Sequence, residues 1–351
     1  MRTWNITGET GWTELSGILC NPMRLTAGFG SVGDMERLIA AGADELFCGY
    51  VPVSWRERYG NAFPLNRREV FFYHVQIGTL EDMKRVRAIA DRYGIPVSVT
   101  MNSLYYTPEQ LPILAGYIRD LHEIGFDRFI VADLNLIRYL HEQNVPYCLH
   151  VSGEFGELNT GSIRLLASFR SERCRITRLI FHRKNSPEAM RHCIEYCRRQ
   201  GLTYEWEAFF MNENCHYTGA FCNSLHCDEL EHICRLPYRV VSLTGALPGE
   251  ETEGDRTGER TGDRTVEQIG ERDDEMSEKP YCPGESGCGI CALEDLAEAG
   301  IGYLKIVGRG ASADCMEQDI RTAKAALRWF GEEDRKERLF PNGCSGNCYY
   351  R

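Results

Sequence analysis

Short apolar runs alternate with longer amphipathic segments between residues 22 and 210. Runs rich in Val, Ile, Phe and Tyr predict buried strands. Seven such runs precede residue 213, and an eighth follows at 302–310, after a helix predicted over 292–299. The predicted strands are RLTAGFGS, DELFCGYVPV, PVSVTMNSL, RFIVADLNL, YCLHVSGEF, TRLIFHR, YEWEAFFMN and GYLKIVGRG.

Explicit start and stop signals mark the helices between these strands. An N-cap residue at Thr79, Thr107 or Ser186 is followed by an acidic residue or a proline in the first turn, and a glycine closes each segment. Eight strands that alternate with helices favour a parallel TIM-type barrel over an open doubly wound sheet. We therefore predict an α/β parallel barrel with a cysteine-rich loop region at its C-terminal face.

One segment departs from this pattern. EGDRTGERTGDRT repeats a short charged unit without apolar periodicity, which predicts a disordered acidic insertion. The predicted organisation is an N-terminal extension at 1–21, one barrel domain from 22–244 and 281–331 with a cysteine-rich insertion at 213–239, the acidic insertion at 245–280, and a cysteine-containing tail at 332–351.

Charge leaves the class of partner open. The net charge is −11, but residues 249–279 hold 12 acidic and 5 basic side chains, so the rest of the chain carries only about −4. A basic patch elsewhere is compatible with these totals. The sequence starts without a secretory signal and has no apolar stretch of about 18 residues, so we expect a cytoplasmic protein without a membrane span.

Polar residues recur at the predicted C-terminal ends of the strands, which line the active face of a parallel barrel. Each alone is compatible with a structural role, but together they predict a polar pocket for an acidic or carbonyl-bearing small molecule. The residues are Thr100, Asn102, Asp133, His150, Ser152, Arg183, Glu207, Lys305 and Arg309.

The 16 cysteines indicate metal or redox chemistry, because structural disulfides are rare in a reducing compartment. Four fall within twenty positions, at Cys215, Cys222, Cys227 and Cys234. Their spacing is neither that of a zinc ribbon nor that of a bacterial ferredoxin, so iron–sulfur and zinc sites both stay open. A further ligand is expected after the acidic insertion, at Cys282, Cys288 or Cys291. By contrast, the helical pair Cys193 and Cys197 is predicted to be core.

An ordered set of motifs resembles the collagenase-like peptidase family of unknown catalytic type. The set spans roughly residues 22–330, and its pieces are specific only in combination. It comprises AGFGSVGDMERLIAAGADELFCGY with its GAD-x-x-x-x-G turn (Gly42, Ala43, Asp44, Gly49), VTMN at 99–102, Asp133, HVS at 150–152, Arg183, Glu207, C-x6-C at Cys215 and Cys222, CRLPYR at 234–239, and AGIGYLKIVGR at 299–309.

The resemblance implies a 4Fe-4S cluster held by four cysteines. Counting back thirteen residues from Ile301 gives Cys288 as the fourth ligand, so the implied set is Cys215, Cys222, Cys234 and Cys288, with Cys227 and Cys291 as alternates. Family members include proteins of quinone-precursor hydroxylation and of tRNA and rRNA modification. The resemblance therefore implies redox modification of an aromatic or nucleobase substrate, with an electron donor and a paralogous partner subunit.

Two departures from the family pattern matter. Val307 stands where the family's KIEGR motif has glutamate, and Cys344 and Cys348 lie outside the alignable core. These two cysteines are candidates for a second cluster with Cys282 and Cys291, or for a redox pair.

The leading hypothesis assigns a role to each polar residue of the pocket. His150, Asp133, Glu207 and Asn102 position substrate and move protons, whereas Thr100, Ser152, Arg183, Lys305 and Arg309 bind it. The alternatives are a peptidase, either zinc-dependent or with a Cys-His-Asn arrangement, and a non-catalytic iron–sulfur binding subunit. The motif H-E-x-x-H is absent, and no local signature supports a cysteine nucleophile.

Overall fold

The structure is a computed structural model, and part of the chain lies outside its description. The predicted acidic insertion at 245–280 and the cysteine-rich stretch from 216 onward, with Cys222, Cys227 and Cys234, both fall outside the described residues. The structure describes residues 14–15, 18–19, 23–60, 62–67, 75–145, 147–156, 158–169, 173–215 and 282–350.

Eight parallel strands close into a barrel in the order β10-β3-β4-β5-β6-β7-β8-β9. This confirms the predicted TIM-type fold, and each barrel strand coincides with one of the predicted apolar runs. The register shifts between β9 and β10, at Lys305 and Ile306, and between β7 and β8, at Leu149 and His150. The barrel strands are β3 Arg24–Gly28, β4 Glu45–Gly49, β5 Val97–Met101, β6 Arg128–Val131, β7 Tyr147–Val151, β8 Cys174–Phe181, β9 Glu205–Met211 and β10 Tyr303–Ile306.

Helices surround the barrel, and two of them begin where the sequence predicts. Thr79 Oγ1 accepts a hydrogen bond from Asp82 N at 3.0 Å, and Ser186 Oγ accepts one from Ala189 N at 3.1 Å. The helices are α1 Met35–Ala41, α2 Val53–Tyr59, α3 Leu80–Tyr93, α4 Leu111–Glu123, α5 Leu134–Glu142, α6 Thr160–Ala167, α7 Pro187–Arg199, α8 Leu293–Ala299, α9 Ala313–Arg328 and α10 Arg335–Leu339.

The predicted start of α4 at Thr107 is wrong, since the helix begins at Leu111. The preceding backbone is held in a turn, because Tyr106 N donates to Asp133 Oδ2 at 2.7 Å. Half of the predicted capping box is nevertheless present, with Thr107 N donating to Gln110 Oε1 at 2.9 Å. Part of the predicted capping interaction is therefore present. The hydrogen bond from Tyr106 to Asp133, in the loop after β6, accompanies a helix start at Leu111 instead of after Thr107.

Apolar side chains pack in two layers. The larger layer lies between strands and helices and includes Cys193 and Cys197 of α7, as predicted. The smaller layer clusters toward the carboxyl ends of the strands and includes a residue near the end of the chain. Its members are Phe47, Ile130, Ile180, Phe209, Val307 and Tyr349.

Outside the barrel, the predicted N-terminal extension contains a short antiparallel pair, β1 Glu14–Leu15 and β2 Ile18–Leu19. Within the described part of the chain, no helix is both long and apolar enough to cross a membrane.

Candidate functional site

A cavity of ≈ 650 Å³ opens at the carboxyl ends of the barrel strands. Its wall combines residues from β4, β5, β6, β9 and β10 with residues from loops at the carboxyl ends of the strands and from α9. All five predicted substrate-binding residues line this cavity, as does Asn102. These residues are Thr100, Asn102, Ser152, Arg183, Lys305 and Arg309.

Arg309 is held at the cavity wall by two neutral acceptors. Its Nη1 donates to Thr100 Oγ1 at 2.8 Å and to Gln76 Oε1 at 3.0 Å. A Cβ at Gly49 would lie 1.5 Å from Gln76 Oε1 and 2.6 Å from Arg309 Nη1. The closing glycine of the GAD-x-x-x-x-G turn is therefore required because only a residue without a side chain lets Gln76 reach Arg309.

Lys305 enters the cavity from β10 and is fixed by a carboxylate below it. Its Nζ lies 2.8 Å from Glu207 Oε1 and 3.8 Å from the centre of the Phe47 ring. Burial lowers the pKa of Lys305, although Glu207 opposes the shift. Burial alone would raise the pKa of Glu207, but Lys305 and Arg178 hold it below its usual value. The pair therefore presents an ammonium group to the cavity.

Glu207 itself lies outside the described cavity wall, contrary to its predicted place at a strand end. It is the third residue of the seven-residue strand β9, and it is fully buried inside the barrel. Its Oε2 accepts from Arg178 Nη1 at 2.8 Å. The error in placement arose because an apolar run does not show where its strand ends.

Arg178 forms the centre of a buried charge cluster that the sequence did not reveal. It is 0% exposed and also pairs with Glu45 at 2.7 Å and Glu205 at 2.8 Å, while its guanidinium lies 3.5 Å from the centre of the Tyr303 ring. Three carboxylates thus surround one guanidinium. Arginine inside a predicted strand flanked by Thr177 and Leu179 was the available signal.

A second arginine combines an ion pair with an aromatic face. Arg183 Nη1 donates to Glu154 Oε1 at 3.1 Å, and the guanidinium carbon lies 3.8 Å from the centre of the Phe209 ring. The buried Nε of Arg183 has no hydrogen-bond partner within the described part of the protein. Glu154, two residues beyond Ser152, was not predicted, although it lines the same cavity and also faces Arg67 at 3.7 Å.

His150 and Asp133, two predicted catalytic residues, lie away from the described cavity wall. His150 is buried inside the barrel with its Nδ1 3.5 Å from Ser98 Oγ. Burial, together with the nearby cations headed by Arg178, lowers its pKa well below its ordinary value. Asp133 caps α5, where its Oδ1 accepts from Asn135 N at 2.7 Å and its Oδ2 from Tyr106 N. The contacts of Asp133 are those of a structural cap.

Asn102 lines the cavity and also holds the loop between α2 and α3 that contains Arg67. Its Oδ1 accepts from the backbone N of Arg67 at 3.1 Å. This hydrogen bond orients the side chain at the cavity wall.

Two of the four cysteines implied as ligands lie in the described residues, and both belong to this face of the barrel. Cys215 lines the cavity, and Cys288 pairs in an antiparallel bridge with Met211, the last residue of β9. Cys288 is buried, which raises the pKa of its thiol to about 12. In the described part of the chain, no three His, Cys, Asp or Glu side chains form a ready metal site.

The C-terminal residues 344–350, here called the strap, cross this face. Tyr350 Oη donates to Phe209 O at 2.5 Å, and Tyr349 Oη donates to Asn212 O. Tyr349 also packs into the smaller of the two apolar layers, at the carboxyl ends of the strands. Sequence reasoning had treated this tail only as a source of cysteines, because nothing local indicates that its tyrosines contact β9.

A family model describes nearly the whole chain. The model of peptidase family U32 matches residues 30–343. Among curated proteins, the sequence finds no match.

Comparison with solved structures gives distant matches. The structure of the U32 peptidase Mk0906 is 13% identical over 67% of this chain and 92% of that one, with a TM-score of 0.40. The N-acetylneuraminic acid synthetase from Leptospira borgpetersenii serovar Hardjo-bovis, in complex with citrate, is 10% identical over 95% of this chain and 97% of that one, with a TM-score of 0.42.

Proposed function

The chain belongs to peptidase family U32, and we propose that it is a barrel enzyme that modifies a small anionic aromatic or nucleobase substrate in an iron–sulfur-dependent redox reaction of the hydroxylation type. One observation carries the proposal. A single cavity combines four cationic side chains, two aromatic rings and a cysteine of the implied ligand set. These residues are Arg67, Arg183, Lys305, Arg309, Phe47, Phe209 and Cys215.

The cations and rings suit a planar, anionic substrate. Arg183 already lies over the Phe209 ring, and Lys305 lies over the Phe47 ring, so each cation is positioned before a ligand enters. Burial strengthens the interaction of these charges with an anion, because the local dielectric is low. Glu207 below Lys305 and Glu154 beside Arg183 fix the cations in place rather than contacting the reacting group.

Two of the four implied donors support an iron–sulfur site at this face of the barrel. Cys215 follows β9, and Cys288 is paired to the end of the same strand, so both thiols belong to the carboxyl end of the barrel. Cys222 and Cys234 would complete the set, and the cluster would supply electrons for the redox step when bound. The thiols must lose their protons to bind iron, and iron binding itself favours that loss.

The residues of the cavity wall would bind and orient the substrate. Lys305 Nζ and the Arg309 guanidinium donate to anionic oxygens, while Asn102 and Ser152 offer neutral hydrogen bonds. Because burial lowers the pKa of Lys305, its Nζ is the candidate for releasing a proton toward the substrate. Charge pairing with Glu207 opposes that release and keeps the amine available as a cation.

The test compares a strain lacking the gene with strains complemented by the wild type or by Arg183→Met. Nucleosides from total RNA and small aromatic acids are measured by mass spectrometry. The proposal expects one species to lack an oxygen atom in the deletion strain, to recover with the wild type and not with Arg183→Met. An unchanged set of nucleosides and aromatic acids in the deletion strain would contradict it.

A peptidase is the second candidate, favoured by the family name. Hydrolysis of gelatin or casein that survives removal of iron, and that Lys305→Met leaves intact, would favour this alternative. If the hydrolytic activity separates from this protein during chromatographic purification, that result would count against the peptidase alternative.

A further inference from the structure

The strap places a second cysteine directly beside one of the implied cluster ligands. Cys288 and Cys348 are partners in a parallel β-bridge. Backbone hydrogen bonds flank the pair on both sides, from Cys288 N to Asn347 O at 2.8 Å and from Tyr349 N to Cys288 O at 2.9 Å. The two cysteines are thus in register as well as close together.

This register is compatible with the backbone separation of a disulfide. Paired residues on neighbouring strands lie about 4.7–4.9 Å apart, and their side chains leave the same face of the ribbon. Disulfides join Cα atoms that are roughly 4.4–6.8 Å apart. The bridge spacing expected for Cys288 and Cys348 falls within this range.

Further contacts hold the strap against the same loop. Ser345 Oγ donates to Gly284 O at 3.1 Å, and Asn347 Nδ2 donates to Glu285 O at 2.5 Å. The loop is in turn bonded to the end of β9, with Gly289 N donating to Phe210 O at 2.7 Å. The neighbourhood of Cys288 and Cys348 is therefore fixed by both chain segments.

We propose that Cys288 and Cys348 form a reversible dithiol–disulfide couple that withdraws Cys288 from the iron–sulfur site and fastens the strap over the cavity face. Cys348 is the more exposed of the two, so it attacks first. With glutathione disulfide as oxidant, the Cys348 thiolate displaces one glutathione thiolate, and the Cys288 thiolate then displaces the second from the mixed disulfide. The two protein thiols lose two protons and two electrons, and the oxidant is reduced to two molecules of glutathione.

The consequence for the cluster rests on the proposed function, whereas the disulfide itself does not. A sulfur in a disulfide cannot act as a thiolate ligand. Oxidation of the couple would therefore remove one of four ligands before iron is loaded and would tie Tyr349 to the barrel through its neighbour Cys348. Reduction would return both thiols.

The first experiment uses the full-length, iron-free protein in glutathione buffers of increasing oxidation, quenched with iodoacetamide. Peptide mass spectrometry should find Cys288 linked to Cys348, with two free thiols lost per chain. The linked peptide should be absent from Cys348→Ser and retained in Cys344→Ser, the matched control four positions away in the same strap. A link between Cys344 and Cys348, or glutathione adducts alone, would overturn the proposal.

The second experiment separates the couple from the cluster. Reduced and oxidised proteins are reconstituted anaerobically with ferrous iron and sulfide, and iron per chain is measured. Oxidation should lower iron loading in the wild type and in Cys344→Ser but not in Cys348→Ser. Equal loading of oxidised and reduced wild type would overturn the regulatory part. If the reduced protein binds no iron but the Cys288–Cys348 disulfide still forms, then the proposed function is wrong and the dithiol–disulfide couple is supported.

Discussion

At the scale of single residues, the site depends on buried charges that are paired with charges of opposite sign. Glu207 pairs with both Arg178 and Lys305 inside the barrel, and both cations are buried. Removing one partner of such a group leaves an uncompensated buried charge, which costs more than the ion pair contributes on its own.

Glu207→Gln should therefore lower the free energy of unfolding by about 3–5 kcal/mol, the range for breaking a buried pair. Urea denaturation measures this change. Glu205→Gln is the matched control, because the Glu205 side chain is 42% exposed and pairs with the same Arg178. A similar loss for both variants would contradict the assignment of Glu207 as a fully buried counter-ion of Arg178 and Lys305.

Gly49 has a steric role that can be tested apart from its backbone freedom. Gly49→Ala places a Cβ against Gln76 Oε1, so we expect destabilisation of about 1–3 kcal/mol from overpacking. The double variant Gly49→Ala with Gln76→Ala should recover most of that loss in urea denaturation. Additive losses would show that Gln76 is not the group that Gly49 accommodates.

Buried histidines make stability depend on pH. Burial lowers the pKa of His182 to about 4, and its Nδ1 accepts from Lys184 N at 3.2 Å, a bond that protonation removes. Between about pH 6.5 and pH 5 the unfolded chain therefore binds more protons than the folded one, and the free energy of unfolding should fall as pH falls.

Each such histidine contributes up to about 1.4 kcal/mol per pH unit in that window. His182→Gln should reduce the change of the unfolding free energy with pH, measured by urea denaturation at several pH values. His192→Gln, at an exposed position of α7, should leave it unchanged. If the unfolding free energy depends on pH in the same way in the wild type, His182→Gln and His192→Gln, then His182 is not a source of that dependence.

Sequence reasoning succeeded for residues at the ends of strands and failed for those inside the barrel. Thr100, Ser152 and Arg309 were placed correctly at the cavity because polar residues after an apolar run mark a strand's carboxyl end. His150 and Glu207 were misplaced because both sides of a parallel strand are buried, so the pattern does not show which polar residue points inward. Glu154 was missed because it lies beyond the strand, in a 3₁₀ turn.

At the scale of elements, the apolar runs and capping signals were sufficient to predict the barrel. All eight predicted strands are present, and α3 and α7 begin at their predicted caps. The start of α4 differs because Asp133 captures the backbone of Tyr106, a contact between segments 27 residues apart. Contacts of this kind depend on the fold and leave no local pattern.

The cap of α7 gives a test at this scale. Ser186→Ala removes the acceptor for Ala189 N and should lower the free energy of unfolding by about 1 kcal/mol. Ser186→Asp keeps a capping oxygen and should restore most of that loss. Urea denaturation at neutral pH distinguishes them, and equal stability of the alanine variant and the wild type would show that the cap contributes nothing.

At the scale of the whole molecule, the family and the barrel are established, and the chemistry is the proposal. The family model covers 30–343, and the closed barrel gathers four cations and Cys215 at one face. The fold could be predicted because periodicity repeats along the chain. The strap could not, because it is seven residues long and its docking depends on the geometry of the end of β9.

The central claim is that Cys215 belongs to an iron–sulfur site at the cavity. The most direct measurement is iron and sulfide per chain in anaerobically purified wild type, Cys215→Ser and Cys315→Ser. Cys315 is the matched control, because it lines the same cavity and lies outside the implied ligand set. Iron and sulfide should be present in equal amounts in the wild type and in Cys315→Ser, and both should fall markedly in Cys215→Ser. Iron-free wild type, or the same iron content in both variants, would contradict it.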